Sequence, residues 1–223
     1  MMMMERAVST VLTGRCCAVR VWDATDNMHN LLQIDNRTRH KMRPDIMIID
    51  GLAPADLVTL NLSDPTTLQA LHRRCKIIIL ELGYTIEHCL DETLTVKRQQ
   101  HIRLVRLLLE AGWHIPDTPP HAPPLPPLHD PSLDRSGNLQ LNSSARKIHI
   151  LILGSAGVIF NHLPSQLSHI GIPSPLIPPL LTHLHFLAVR SATAIISKRR
   201  QLEHDPSIFI PHSSPPLRPH EPP

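Results

Sequence analysis

Lys76-Ile77-Ile78-Ile79-Leu80-Glu81 is the stretch on which the reading of this chain turns. Four aliphatic side chains in a row leave no polar face. The run therefore predicts a strand over Lys76–Leu80, covered on both sides as in a buried sheet. Glu81 ends it with a carboxylate. Upstream, Ile46–Ile49 is a second apolar, largely β-branched run behind Pro44, whose fixed φ and missing N–H suit the start of a strand. Asp45 stands at its mouth. Downstream, Ile148–Leu153 is a third buried strand, ending in Gly154.

Between the second and third strands the period changes to that of a helix. From Glu87 to Gly112 an apolar stripe runs through Leu90, Leu94, Leu104, Val105 and Leu108, with Arg103, Arg106 and Glu110 across from it. Gly112 and Pro116 are stop signals. Shorter patterns predict a strand at Val19–Trp22, a helical turn or two at Thr25–Ile34, and a helix at Thr66–Arg74 within a polar connection over 51–75. A helix at Leu163–Ile170 is closed by Gly171 and Pro173. A last helix, Pro175–Leu202, carries Ile177, Leu180, Leu184, Leu187, Ser191 and Ile195 on one stripe. It ends in Lys198, Arg199 and Arg200, which suit the negative end of a helix dipole.

This order predicts an α/β fold with a small mixed central sheet flanked by helices. Of the 23 prolines, many crowd into Pro116–Pro131 and Pro211–Pro223. Pro116–Ala145 has no period and reads as a long, mobile insertion loop, the expected first site of limited proteolysis. The division that follows is a poorly defined segment over 1–40, one domain over 41–203 interrupted at 116–145, and a disordered Pro-rich tail over 204–223.

Composition narrows the function. A net charge of +3 is a weak pointer to a polyanionic partner, and the 16 histidines add to it below about pH 6.5. Aromatics, at 3%, are too few for the stacking platforms of a single-strand binder. Cys16, Cys17, Cys75 and Cys89 show neither zinc-site spacing nor a disulfide framework. Met1–Met4, Glu5 and Arg6 are followed by no signal-peptide core, and Ile148–Phe160 is too short to span a bilayer. The expectation is a soluble protein of the nucleus or cytoplasm, not secreted, with no membrane partner.

The chemistry rests on two acids and one base. If the strands are neighbours, Asp45 and Glu81 converge at one edge of the sheet, offering hard oxygen ligands for Mg²⁺. The plainer alternative is that Asp45 caps a turn and Glu81 merely ends a strand. Lys97 and His101 fall inside the helix's apolar stripe, where a lysine is costly unless paired with an anion. Residues 82–86, if extended, carry the chain out by about 16 Å. Ten helical residues bring it back by about 15 Å, so Lys97 returns to the level of Glu81. Either its ammonium meets that carboxylate, or it snorkels past the stripe edge. As a charge in an apolar stripe, its replacement by methionine is expected to leave the fold at least as stable.

Three strings then align with a family. Arg43-Pro44-Asp45-Ile46, Ile79-Leu80-Glu81-Leu82-Gly83-Tyr84 and Lys97-Arg98-Gln99-Gln100-His101, before a helix ending Ala111-Gly112-Trp113, resemble the PD-(D/E)xK nuclease domain. The version it is most similar to follows the reverse transcriptase of non-LTR, site-specific retrotransposons. His149–Val158 and Leu184–Arg200 resemble later parts of that domain, and the likeness covers about Arg43–Glu203. The resemblance implies a restriction-endonuclease-like fold and a Mg²⁺- or Mn²⁺-dependent endonuclease. Such an enzyme nicks double-stranded target DNA beside a reverse transcriptase from the same element, with no small-molecule cofactor. It implies that Asp45 and Glu81 bind metal and that Lys97 is the catalytic lysine, moved from strand to helix. Gln100 and His101 are secondary candidates, and Lys198, Arg199 and Arg200 would meet nucleic acid. Gly83 departs from the pattern, standing where the third position of ExK has lysine. The rival readings are an inactive DNA-binding module of the same fold and a protein-interaction platform. The second would use Pro123-Pro124-Leu125-Pro126-Pro127 as a polyproline II ligand.

Overall fold

Three aliphatic runs pair in one sheet in the computed structural model of the chain. The structure describes residues 18–20, 31, 32, 34, 44–53, 55–119 and 125–203. In order they form β1 (Ala18–Arg20), β2 (Ile46–Asp50), α1 (Asp56–Thr59), α2 (Pro65–Arg74) and β3 (Lys76–Thr85). A 3₁₀ turn (Glu87–Cys89) leads into α3 (Leu90–Gln100) and α4 (Ile102–Glu110). Then come α5 (Arg135–Ala145), β4 (Ile148–Gly154), α6 (Leu163–His169), a 3₁₀ turn (Ser174–Leu176) and α7 (Ile177–Glu203).

The sheet is mixed, in the order β1-β2-β3-β4. Its first three strands are antiparallel neighbours, whereas β4 lies parallel to β3. A parallel neighbour needs a crossover, and α3 to α5 supply it. Alternation along the strands then makes two cores. Met47, Ile49, Ile77, Ile79, Ile150 and Ile152 face Leu94, Leu104, Val105 and Leu108 of the crossover. Ile46, Ile48, Ile78, Leu80, Leu151 and Leu153 face Leu163, Leu167, Leu180 and Leu184 of α6 and α7. The protein is thus mixed α/β, with a small mixed sheet between helical layers.

Several expectations change. The segment over 1–40 reaches into the domain: β1 pairs with β2, and Leu31, Leu32 and Ile34 are buried in the first core. The rest of Val19–Trp22 and most of Thr25–Ile34 lie outside the described residues, as does the 204–223 tail. β3 runs through Glu81 to Thr85 rather than stopping at Leu80. The long helix is two helices, broken at His101 (φ −118°, ψ 14°). Gly112 does terminate the second, at φ 93°, a conformation that suits a residue without Cβ.

Pro116–Ala145 is not loop throughout, because α5 occupies its last third. The Asp134 carboxylate caps that helix by accepting from Gly137 N–H at 2.6 Å. In α7, Ile177, Leu180, Leu184 and Ala188 are buried, but Ile195 is 55% exposed, so the stripe outruns the sheet. By length and composition the helix over Ser174–Gln201 is apolar enough to cross a membrane, its most apolar 18-residue window having a mean hydropathy of 1.3. Ile177, Leu180, Leu184 and Ala188 pack on the second core, whereas 17% of that window is buried and Phe186 is 64% exposed.

Candidate active site

Asp45 precedes β2 directly, and the Ile46↔Leu80 pairing sets it opposite Glu81. Glu81 shares its strand face with Ile77 and Ile79, the face that α3 and α4 cover. A carboxylate is thereby placed in an aliphatic core, with its side chain 1% exposed. Such a burial is tolerable only with compensating partners. Lys97 supplies one: its Nζ donates to Glu81 Oε2 at 2.7 Å and lies 3.9 Å from Asp45 Oδ2. His101 supplies another, with Nε2 at 2.6 Å from Glu81 Oε1. Asp45 N–H donates to the same oxygen at 3.2 Å, and Leu82 N–H donates to Asp45 Oδ2 at 2.9 Å.

Burial pushes the Glu81 carboxyl up. The hydrogen bonds from His101 and Lys97, and the pull of their charges, outweigh it and hold the group below its ordinary 4.5. Glu81 is therefore an anion at neutral pH, buried, and clasped by two bases from one helical layer. Asp45 and Lys97 are the accessible members, with side chains 14% and 20% exposed.

Gly83 has a positive part in this arrangement. A Cβ built there would come within 3.7 Å of Lys97 Cε, so the bare backbone leaves open the space beside which the lysine stem runs. Lys97, arriving from the helix, thus fills the space beside Gly83 that a side chain from the strand would otherwise occupy. The break at His101 is the other feature that periodicity did not reveal, and it falls at the residue whose ring reaches Glu81.

The structure thus brings together Asp45, Glu81, Lys97 and His101. It does not bring in Gln100, which is exposed on α3. Lys198, Arg199 and Arg200 are exposed on the last turns of α7 and form no ion pair among the described residues. Among the described residues no group of three or more His, Cys, Asp or Glu is gathered as a metal site. Two carboxylates do fit a hard cation that takes one or two protein oxygens and completes its shell with phosphate and water. No family model, curated protein or solved structure matches the chain.

Proposed function

We propose that the chain is a restriction-endonuclease-like domain that nicks double-stranded DNA with Mg²⁺ or Mn²⁺, as the endonuclease of a non-LTR retroelement. The observation that carries this reading is the meeting of Asp45 and Glu81, from adjacent strands, with Lys97 from the crossover helix. Two acids and a lysine from three separate stretches are one set able to hydrolyse a phosphodiester with a divalent ion. A divalent ion supplies Lewis acidity and a more acidic water. Asp45 and Glu81 would hold it, in competition with the Lys97 ammonium that lies against both carboxylates. Lys97 would stabilise the charge that develops on the scissile phosphate. His101 and the Asp45 N–H would hold Glu81 ionised and oriented. The exposed cations at the end of α7 support a polyanionic partner, and the element's reverse transcriptase would bring the domain to its target.

The test is a supercoiled-plasmid nicking assay with Mg²⁺ or Mn²⁺, with EDTA and Asp45→Ala as controls. Metal-dependent nicking that Asp45→Ala abolishes is the expected result, and Lys97→Ala should cost on the order of 10²–10³ in rate. Binding of DNA with no nicking under either metal would overturn the enzyme reading. It would leave the cluster as a clasp between sheet and helix in a DNA-binding module.

A further inference from the structure

Against α3 and α4 lies a cleft of about 650 Å³, walled on its other side by His129, Asp130 and Pro131 and by Leu141 of α5. The Pro-rich wall is pinned. Arg98, whose side chain is largely withdrawn from solvent, donates to Pro126 O at 2.8 Å. The Asn142 carboxamide accepts from Leu128 N–H and donates to Leu128 O, each at 2.8 Å. Asn138 does the same for Asp130, at 2.8 and 3.1 Å. Two side-chain amides thereby replace the strand that would otherwise satisfy this backbone, so the wall is formed before any ligand arrives.

Arg103 and Arg106, one helical turn apart, line the opposite side, and neither has an ion pair among the described residues. Gln99 and His129 add hydrogen-bonding groups. Asp130, the one carboxylate among the described lining residues, has its Oδ1 engaged by the Ser132 N–H and hydroxyl at 2.9 and 2.6 Å. Ile102, Pro131 and Leu141 give the same cleft an apolar surface. Two forked guanidiniums suit a phosphate, and a guanidinium plane also stacks on a flat ring. The volume is that of a small-molecule site.

We propose that this cleft binds a phosphate monoester of nucleotide size, with Arg103 and Arg106 on the phosphate and the apolar wall against its organic body. The ligand is either a free nucleotide or the phosphorylated 5′ end of a nucleic acid, since both present the same group. The inference is independent of the nicking activity. Calorimetry on the full chain in EDTA, which silences the Asp45–Glu81 site, tests it with adenosine, AMP and a 5′-phosphorylated tetranucleotide. AMP should bind at least about tenfold tighter than adenosine, and Arg103→Gln/Arg106→Gln should weaken it by about tenfold or more without lowering Tm. Tighter binding of the tetranucleotide than of AMP identifies a nucleic-acid end, and the reverse order identifies a free nucleotide. Equal binding of adenosine and AMP, AMP binding unchanged in the double variant, or no saturable binding overturns the proposal.

Discussion

Lys97 Nζ stands 2.7 Å from Glu81 Oε2, although one residue belongs to a helix and the other to the sheet beneath it. That contact reverses the expectation that methionine at 97 would be harmless. The charge removed is not an isolated one in an apolar stripe but the partner of a carboxylate 1% exposed. Lys97→Met should therefore destabilise the fold by on the order of 3 kcal/mol, because it strands a buried anion. Glu81→Gln combined with Lys97→Met should recover much of that loss, giving a coupling of about 1–3 kcal/mol in a double-mutant cycle. Urea unfolding measures both. A Lys97→Met protein as stable as its parent would show that the pair adds nothing to the fold.

Asp64 offers a test of acid stability away from the site. Its carboxylate caps α2, accepting from Thr66 N–H and Thr67 N–H and from both hydroxyls. Hydrogen bonds from the Thr66 and Thr67 side chains come first among the causes that lower its pKa from 3.8 to about 2. A depressed folded-state value means that the ionised cap stabilises the fold above the unfolded value of 3.8. That contribution is lost as the pH falls through the folded value near 2. The Tm gap between the parent and Asp64→Ala should thus be level near neutrality and close between these two values. A gap that persists unchanged at the acid end would show that the charge of Asp64 is not what caps the helix.

How much of this was legible depended on the period of each segment. Ile46–Ile49, Lys76–Leu80 and Ile148–Leu153 announce themselves because strands buried on both faces are mostly aliphatic, His149 being the buried polar exception among them. Rise per residue alone brought Lys97 back to Glu81, since an extended segment and a helix each have one length per residue. The break at His101 was not legible, because the apolar spacing continues across it from Leu94 to Leu104 and Leu108. Nor was α5, whose Arg-Ser-Gly-Asn-Leu-Gln-Leu-Asn-Ser-Ser-Ala has no apolar stripe and leaves Leu139 65% exposed. Its helix is specified by the Asp134 cap and by asparagines that bind a neighbouring segment, a tertiary signal invisible to periodicity.

That pinning changes what proteolysis should find. The wall over 125–134 is held by Asn138 and Asn142, and Leu128 within it is 4% exposed. It should resist cleavage about as well as α5, contrary to the reading of 116–145 as uniformly mobile. Asn142→Ala leaves the Leu128 N–H and carbonyl without their partner, at a cost of about 1–3 kcal/mol for buried backbone groups. New cleavage within 125–134 in that variant, mapped by mass spectrometry, is the expected result. Equal cleavage there in the parent would show that the hydrogen bonds do not hold the wall.

The sharpest test of the site exchanges its lysine between helix and strand. A Cβ at Gly83 would sit 3.7 Å from both Lys97 Cε and Ile152 Cγ1, so a side chain can start there without a backbone shift. Lys97 Nζ is one bond beyond that Cε, within reach of a lysine rooted at 83. Gly83→Lys alone should overpack the space beside the Lys97 stem and cost about 1–3 kcal/mol. Lys97→Ala alone should lose nicking and leave Glu81 with one fewer counter-charge. Gly83→Lys with Lys97→Ala returns an ammonium to Glu81 from the strand, so it should be more stable than Lys97→Ala and regain part of the nicking rate. Recovery of stability without nicking would mean that an ammonium beside Glu81 serves the fold from either position, whereas nicking needs it where the helix places Lys97. Recovery of neither would mean that the ammonium's placement beside Glu81 is not what matters at this site.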